Sequence, residues 1–535
     1  MDTEAARKAR GAFFTPDRIA GFLTRWAVRS AEDTVLEPSC GEAAFLLAAG
    51  RRLRELGADE GCRLFGAELH EPSAEAARAL LRDEGFAARI ETGDFFTFDP
   101  SRRFAAILGN PPYIRYQDFT GEARMRSAEA ALAQGVRLSG LASSWAAFVV
   151  HSALHLEPQG RMALVLPAEL LSVKYAAEVR SFLLRRFASL RLVLFEERVF
   201  PGVLEDVVLL LAEGSGGAAC FEVFQTRNAE SLGTVEAASW IRHRPQESAK
   251  WTPALVADTA FGAYEDLAAE ACEPLASWGS TFLGAVTGNN RFFCLTAAEV
   301  ARHGLQREDL VRISPPGSRH LRGVGFSERA WLSETREGAR TWLFCPPGEP
   351  SAAGWRYIAS GDEVATGYKC RNRSPWWRVP LVRRPDLFLT YMDHERPRLV
   401  ENAAGVQILN SVYGVCLTEE RRQIGRELLP LAAINSVTLL GAEVVGRAYG
   451  GGLLKLEPRE ADRLPVPSLA LVAERAEQLR AVKPQLATAL RGGRVQKAAE
   501  LVDRILFPSA DLDAIRAARE ILFRRRQARK KNGRD

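Results

Sequence analysis

Ala105-Ala106-Ile107-Leu108-Gly109-Asn110-Pro111-Pro112-Tyr113 reads as a short apolar strand that stops on two consecutive prolines. Each proline pushes the residue before it out of the helical region, so Asn110 and Pro111 must be extended and the strand ends in a stiff tip aimed outward. Around it, from residue 34 to 212, short apolar runs alternate with amphipathic helical stretches, the pattern of a sheet covered by helices on both faces. Strands are expected at residues 34–36, 64–69, 89–91, 105–108, 162–166, 190–195 and 207–211, and helices at 43–56, 73–83 and 176–187. Only residues 196–206, with Pro201-Gly202 among them, separate the last two strands. A parallel crossover needs a dozen residues or more, so that pair should be an antiparallel hairpin. The expected fold is α/β: a Rossmann-like doubly wound sheet with a terminal antiparallel hairpin, then a mixed α+β region and a helical C-terminus.

At about 150 residues per domain, 535 residues with 47% hydrophobic and 26% charged content give two to four domains. No apolar run approaches the roughly 18 residues a bilayer span needs, and the charged N-terminus is followed by no apolar segment, so the expected location is cytoplasmic with no membrane partner. The eight cysteines stand singly, without CxxC pairs or metal-ligand spacing against the seven histidines, so no metal is expected. The net charge of +5 excludes a polycation, but Lys and Arg concentrate in 369–384 and 524–531. Boundaries are expected near 250, after the small-residue stretch 214–219 and the weaker alternation beyond it, and near 470, where the chain turns helical.

The proline-stiffened tip lies where an open α/β sheet presents its carboxyl edge to a ligand. The nitrogen of an aromatic amine is a poor nucleophile because its lone pair is delocalised. Two acceptors gripping its N–H bonds, the Asn110 oxygen and the Pro111 carbonyl, would favour a more tetrahedral nitrogen. Tyr113 offers a flat face for an extruded base. The plainer alternative is a strand-terminating turn with a surface tyrosine. Glu37-Pro38-Ser39-Cys40-Gly41 follows the first strand and precedes a helix, which suits a nucleotide-like ligand or a simple capped turn. Glu68, 27 residues after Gly41, ends the second strand where doubly wound folds keep an acid for ribose hydroxyls. Asp94-Phe95 could pair an acceptor with an apolar wall, or Asp94 could be a turn or cap residue.

Arg10-Gly11-Ala12-Phe13-Phe14-Thr15-Pro16, Glu37-Pro38-Ser39-Cys40-Gly41, Glu68, Asp94-Phe95, Asn110-Pro111-Pro112-Tyr113 and Val199-Phe200-Pro201 together resemble, in that order, the gamma-class DNA N6-adenine methyltransferases of bacterial restriction-modification systems. The resemblance implies the class I methyltransferase fold, S-adenosyl-L-methionine as cofactor, and methylation of N6 of a flipped adenine in double-stranded DNA. It also implies a catalytic N-terminal domain with a target-recognition domain after it; with the boundaries read above these are expected over 1–250 and 251–469, followed by the helical segment with its basic tail over 470–535. A separate cognate restriction endonuclease is the implied partner. By this resemblance Thr15 and Pro16 lie over the methionine end of the cofactor, Glu37 near its amino group, Glu68 on its ribose, and Asp94 with Phe95 around its adenine, with Pro38, Ser39, Cys40 and Gly41 also binding the cofactor. Phe200 contacts the flipped base opposite Tyr113, or is a hairpin hydrophobe. Ala43 stands where many methyltransferases have a second glycine, so a wider cofactor turn is expected. The mechanism needs no covalent enzyme intermediate: the held amine attacks the sulfonium methyl in line, and the enzyme supplies alignment and desolvation.

Beyond residue 250, Lys369, Arg371, Arg373 and Arg378 interleave with Trp376 and Trp377, as phosphate-tracking and base-stacking surfaces do. The alternative is a solvated basic face over a buried tryptophan pair. Asn289 and Asn290 in Thr287-Gly288-Asn289-Asn290-Arg291-Phe292-Phe293, and the run Arg447-Ala448-Tyr449-Gly450-Gly451-Gly452, suit close approach to DNA or a structural hairpin equally. The tail 524–531 reads as a mobile basic arm or a solubilising end, and residues 117–140 as a mobile cover over the active site. Competing readings are a protein-glutamine or RNA methyltransferase, which would use the same amide grip, and a non-catalytic DNA-binding subunit of a defence system. No nuclease motif supports a fused endonuclease.

Overall fold

The expected alternation is realised as one nine-stranded sheet in the first of two units, Met1–Leu255, the second being Val256–Asp535. The computed structural model describes residues 15–197, 199–200, 207–237, 240–245, 250–256, 258–449 and 452–528. Strands β1 (Val35–Glu37), β2 (Leu64–Glu68), β3 (Ala88–Thr92), β4 (Phe104–Gly109) and β5 (Leu156–Pro167) pair in parallel in the order 3-2-1-4-5. Next come β6 (Ser189–Phe195) and β7 (Val207–Glu213), with β7 inserted between β5 and β6 and antiparallel to both. The hairpin read from the short connection is therefore present. The sheet also runs further than the sequence reading: β8 (Phe221–Thr226) pairs in parallel with β6, and β9 (Ile241–His243) closes the edge antiparallel.

Strand β4 is buried along its whole length and β5 from Gly160 to Pro167, because both faces of the sheet are covered there. Successive residues enter opposite cores. Along β5, Met162, Leu164 and Leu166 join one cluster, and Ala163 and Val165 the other. Along β7, Val208, Leu210 and Ala212 alternate in the same way with Val207, Leu209 and Leu211. Helices α1 (Asp17–Ala27), α2 (Ala44–Glu55) and α3 (Glu71–Asp83) cover the second face. In α1 the buried residues Ile19, Phe22, Leu23 and Ala27 recur at helical spacing and form a single stripe. Helices α4 (Gly121–Ala133), α5 (Ser144–Leu154) and α6 (Ala177–Arg186) cover the first face. Full burial of each such leucine or phenylalanine contributes roughly 1.5–3 kcal/mol, which locks strand register to the packing.

The second unit contains a four-stranded antiparallel sheet of Gly279–Leu283, Tyr413–Leu417, Leu387–Leu389 and Leu399–Glu401. A three-stranded sheet pairs Cys294–Leu295, Trp342–Phe344 and Leu310–Arg312. The helices from residue 469 onward are not a separate appendage. They pack with Glu419–Ala432 and Ser436–Val445 inside the same unit. Asp503, buried on Val495–Leu506, accepts from the Ser436 backbone N–H (2.8 Å), the Ser436 hydroxyl (2.7 Å) and Arg516 (2.9 Å). Arg526 forms a buried ion pair with Glu443 at 2.7 Å and donates to the carbonyls of His394 and Gly452. Of the basic tail 524–531, residues 524–528 belong to the helix Asp513–Ala528, and residues 529–535 lie outside the described residues. Among the described residues no single helix is long and apolar enough to cross a membrane.

Candidate active site

Strand order reverses between β1 and β4, which lie side by side with Val35 opposite Ala106 and Leu36 opposite Ile107. Ligands of open α/β sheets bind at such switch points, outside the carboxyl ends of the strands. Here those ends carry Glu37-to-Gly41 and Asn110-to-Tyr113. They are close: a Cβ added at Gly109 would lie 3.5 Å from Pro38 and 3.9 Å from Glu37.

The β1 end is a carboxylate-braced turn. Glu37, 3% exposed, accepts the Leu46 backbone N–H in the first turn of α2 at 3.1 Å. Burial pushes its carboxyl well above the usual range, the Glu68 charge adds to this, and the Leu46 and Phe45 N–H groups partly offset it. Glu68 accepts from the N–H groups of Gly41 and His70, each at 2.8 Å, one on each oxygen. Cys40 is tied to β2 by its N–H to the Ala67 carbonyl (3.0 Å) and is buried with its thiol pKa raised, so it packs the turn. The turn is not widened at Ala43. That residue takes the left-handed conformation a glycine would adopt, φ 64° and ψ 33°, and donates to Cys40 O at 2.6 Å. The conformation costs an alanine about 1–2 kcal/mol, and its fully buried methyl, packed among Phe45, Leu46 and their neighbours, holds it there.

After β3, Asp94 caps the short turn Phe95–Thr97 by accepting the Phe96 N–H at 3.1 Å, and it faces Arg126 at 3.5 Å. Phe95 is a correction. Its ring is 3% exposed and stacks on Phe148 at 5.7 Å within the core, so it is no wall for a ligand at the surface; of the two rings, Phe96 is the half-exposed one. Residues 117–140 are also more anchored than a loose cover, since α4 carries Ala131 into the core, Val136 follows it there, and Arg124 bonds the Gly140 carbonyl.

The β4 tip is pinned from three sides. The Ser144 hydroxyl, at the start of α5, donates to the Pro112 carbonyl and accepts the Ile114 N–H at 2.9 Å. The Tyr113 hydroxyl donates to the Val165 carbonyl on β5 at 3.0 Å, while its ring packs against both cores. Asn110 Nδ2 donates to Thr15 Oγ1 at 3.2 Å. Asn110 Oδ1 is buried and accepts no hydrogen bond among the described residues. Leaving a buried amide oxygen unpaired costs about 1–3 kcal/mol. Pro111 is buried. Phe200, 5% exposed, sits in the core cluster that Tyr113 borders. Residues 10–14 and Pro201 of the quoted motifs lie outside the described residues. Ser144 and Val165 carried no sequence signal, because each acts through a contact fixed only by packing.

The family model of N-6 DNA methylases matches residues 1–213, the part of the chain that builds this site. A second, the C-terminal domain of the Type II methyltransferase M.Eco57I, matches residues 248–507. The chain belongs to the restriction-modification N6-adenine DNA methyltransferases. The methyltransferase is 25% identical to Type II methyltransferase M.XamI of Xanthomonas campestris pv. amaranthicola, over 86% of this chain and 85% of that one. It is 20% identical to M.AccI of Acinetobacter calcoaceticus, over 87% of each. Among solved structures, the Type IIL restriction-modification enzyme MmeI in complex with DNA superposes with a TM-score of 0.56 at 13% identity, covering 96% of this chain and 75% of that one. The DrdV–DNA complex gives 0.52 at 12%, covering 91% and 58%. The fold is the class I methyltransferase sheet followed by an α+β half and C-terminal helices.

In the methyltransferase's second unit the basic-aromatic segment divides into structural and exposed members. Arg373 donates to the carbonyls of Thr287 (2.8 Å) and Val286. Trp377 is buried, and the half-buried Trp376 lies 5.6 Å from Phe292. Asn289 caps Asn290–Phe293 through the Phe292 N–H (3.0 Å), and Asn290 accepts from the Thr287 hydroxyl (2.5 Å). Gly288, at φ +86°, lets this turn approach Lys369, whose Cβ would lie 2.8 Å from an added Cβ. Of these five residues only Trp377 is buried; the other four have local partners and are half-buried or exposed. The exposed remainder is Lys369, Arg371 and Arg378, with Tyr368, 67% exposed, between the first two cations at 5.6 and 5.4 Å. Tyr368 was missing from the sequence reading, although the alternation of cations with aromatics begins with it. The 447–452 run forms strand Arg447–Tyr449, with Gly450 and Gly451 outside the described residues.

Proposed function

We propose that this enzyme is a gamma-class methyltransferase that transfers a methyl group from S-adenosyl-L-methionine to N6 of an adenine flipped out of double-stranded DNA, at sites whose protection from a separate cognate endonuclease is its purpose. The observation that carries the reading is the buried, unpartnered Asn110 oxygen at the end of the proline-stiffened tip. It is an acceptor without a donor, suited to an exocyclic amine, with the Pro111 carbonyl beside it in sequence as the second acceptor. Tyr113 gives the base a ring to stack on, and its hydroxyl bond to Val165 holds that ring still.

The cofactor fits the β1–β2 side. A Cβ added at Gly41, whose φ is +48°, would meet nothing within 4 Å, so the turn has open space over it. Glu68 keeps accepting capacity on both oxygens beyond its two backbone bonds, which suits ribose hydroxyls. Glu37 supplies a buried carboxyl for an ammonium group, and Asp94 an acceptor for an amino group. S-adenosyl-L-methionine bound there would supply an already activated sulfonium methyl. The chain's own contribution is to hold the amine, align it and exclude water; such alignment is worth on the order of 7–11 kcal/mol of barrier. The second unit, through Tyr368, Lys369, Arg371 and Arg378, provides the DNA contact. Eight free cysteines accord with a cytoplasmic location.

The test is transfer of labelled methyl to mixed-sequence duplex DNA, followed by digestion to nucleosides, for the wild type and Asn110→Ala. Label in N6-methyldeoxyadenosine that disappears in the variant is the expected result. Cofactor binding without transfer to DNA would refute the substrate.

A further inference from the structure

An asparagine amide can lie in two orientations, and only one of them presents an acceptor to an incoming amine. In this enzyme Asn110 Nδ2 is bonded to the Thr15 hydroxyl oxygen at 3.2 Å, and Oδ1 is the atom left buried and unpartnered among the described residues. We propose that Thr15 is a positioning residue for the reaction: its hydroxyl tethers the Asn110 amide in the place where its oxygen can meet the target amine. The proposal rests on the reading of Asn110 as the amine acceptor. It gives Thr15 a role distinct from contact with the cofactor.

Both ends of the bond are rigid. Thr15 is itself 3% exposed. It precedes Pro16, whose carbonyl accepts the N–H groups of Ile19 (2.9 Å) and Ala20 (3.1 Å) and so opens α1, and α1 is fixed by Ile19, Phe22, Leu23 and Ala27 in the core. On the other side, Pro111 and Pro112 stiffen the backbone after Asn110, and Ser144 ties it to α5. The two residues are 95 positions apart, so the bond exists only once α1 has docked beside the end of β4. With the amide reversed, its two N–H groups would face the two N–H groups of the substrate amine, and one of the two acceptors would be lost. The hydroxyl accepts from Nδ2 and could equally donate to a reversed amide, so it fixes the place of the amide while the two N–H groups of the substrate select the orientation with Oδ1 toward them; a methyl group in its place gives no such tether.

The experiment compares Thr15→Val, Thr15→Ser and Asn110→Ala in the full chain. Transfer is measured on mixed-sequence duplex DNA with S-adenosyl-L-methionine saturating, so that any weaker cofactor binding drops out of kcat. Cofactor affinity is measured separately by calorimetry. Thr15→Val is expected to lower kcat about tenfold, the worth of one hydrogen bond, and Thr15→Ser to restore most of it. A readout independent of turnover uses duplexes carrying adenine or purine at a position the wild type modifies. The wild type should bind the adenine duplex more tightly, and Thr15→Val should lose that preference. A wild-type kcat and adenine preference in Thr15→Val, with Asn110→Ala inactive, would overturn the proposal. So would a loss confined to cofactor affinity, or one that serine does not rescue. Full transfer by Asn110→Ala would instead overturn the reading on which it rests.

Discussion

Ser144→Ala tests whether the catalytic tip depends on its anchor. The hydroxyl is buried and makes two bonds, one to the Pro112 carbonyl and one from the Ile114 N–H at 2.9 Å. Alanine fits the space but leaves both backbone groups without their partner. A buried group left unpaired costs about 1–3 kcal/mol, but Pro112 and Ile114 are only half-buried, so water can reach them and the lower end applies to each. The expected loss of stability is therefore about 2 kcal/mol. It should appear as a lower urea midpoint with an unchanged slope. If the loosened tip must be reordered before the amine is gripped, about half of that loss also enters the barrier, so kcat should fall roughly fivefold. Urea titrations and transfer assays on the same preparations decide the matter. A full loss of stability with kcat unchanged would refute the idea that this anchor serves the tip.

Three further perturbations have definite signs. The raised pKa of Glu37 means that its stabilising contribution is fully present below the ordinary carboxylate range and is lost as pH rises through the raised value; Glu37→Gln should flatten that decline in thermal midpoints while weakening cofactor binding, and in the wild type a cationic cofactor should release a proton on binding, seen by calorimetry in buffers of different ionisation enthalpy. Arg526→Met strands the buried Glu443 and should cost about 3–5 kcal/mol in urea denaturation, with Glu443→Leu added to it recovering much of the loss. Lys369→Ala, Arg371→Ala and Arg378→Ala should each weaken duplex binding and reduce its salt dependence by about one released counterion, without changing the unfolding midpoint. Arg373→Ala should lower that midpoint instead, because its guanidinium ties residues 286–287 to the 369–378 segment.

What the sequence disclosed follows the range of the forces involved. Seven of the nine strands of the methyltransferase sheet were legible because burial on both faces writes apolar runs, and the β6–β7 hairpin because eleven intervening residues cannot make a crossover. Strand β8 was overlooked although Phe221 and Val223 alternate with polar neighbours, since the glycine-rich turn before it reads equally well as a domain linker. At the site, Asn110 to Tyr113 stood out because proline constrains backbone locally. The same reasoning could not see that Phe95 and Phe200 turn inward, or that Trp377 is core while Tyr368 is surface. Those outcomes depend on which face of a short turn meets a neighbour distant in sequence. Ala43 shows the limit from the other direction: residue type argued for a different turn, and the burial of its methyl prevailed.

Strand β8 has a practical consequence for dissecting the enzyme. The methylase family match ends at residue 213, the last residue of β7, yet the sheet continues through β8 and β9 to residue 243. A fragment cut at 213 would strip the cover from β6, whose Ser-Leu-Arg-Leu-Val-Leu-Phe would become a long apolar strand with unpaired backbone groups, a template for pairing with other molecules. Such a fragment should precipitate or form oligomers during expression, whereas one ending at 255 keeps the edge short and capped and should stay in solution at matched concentration in size-exclusion runs.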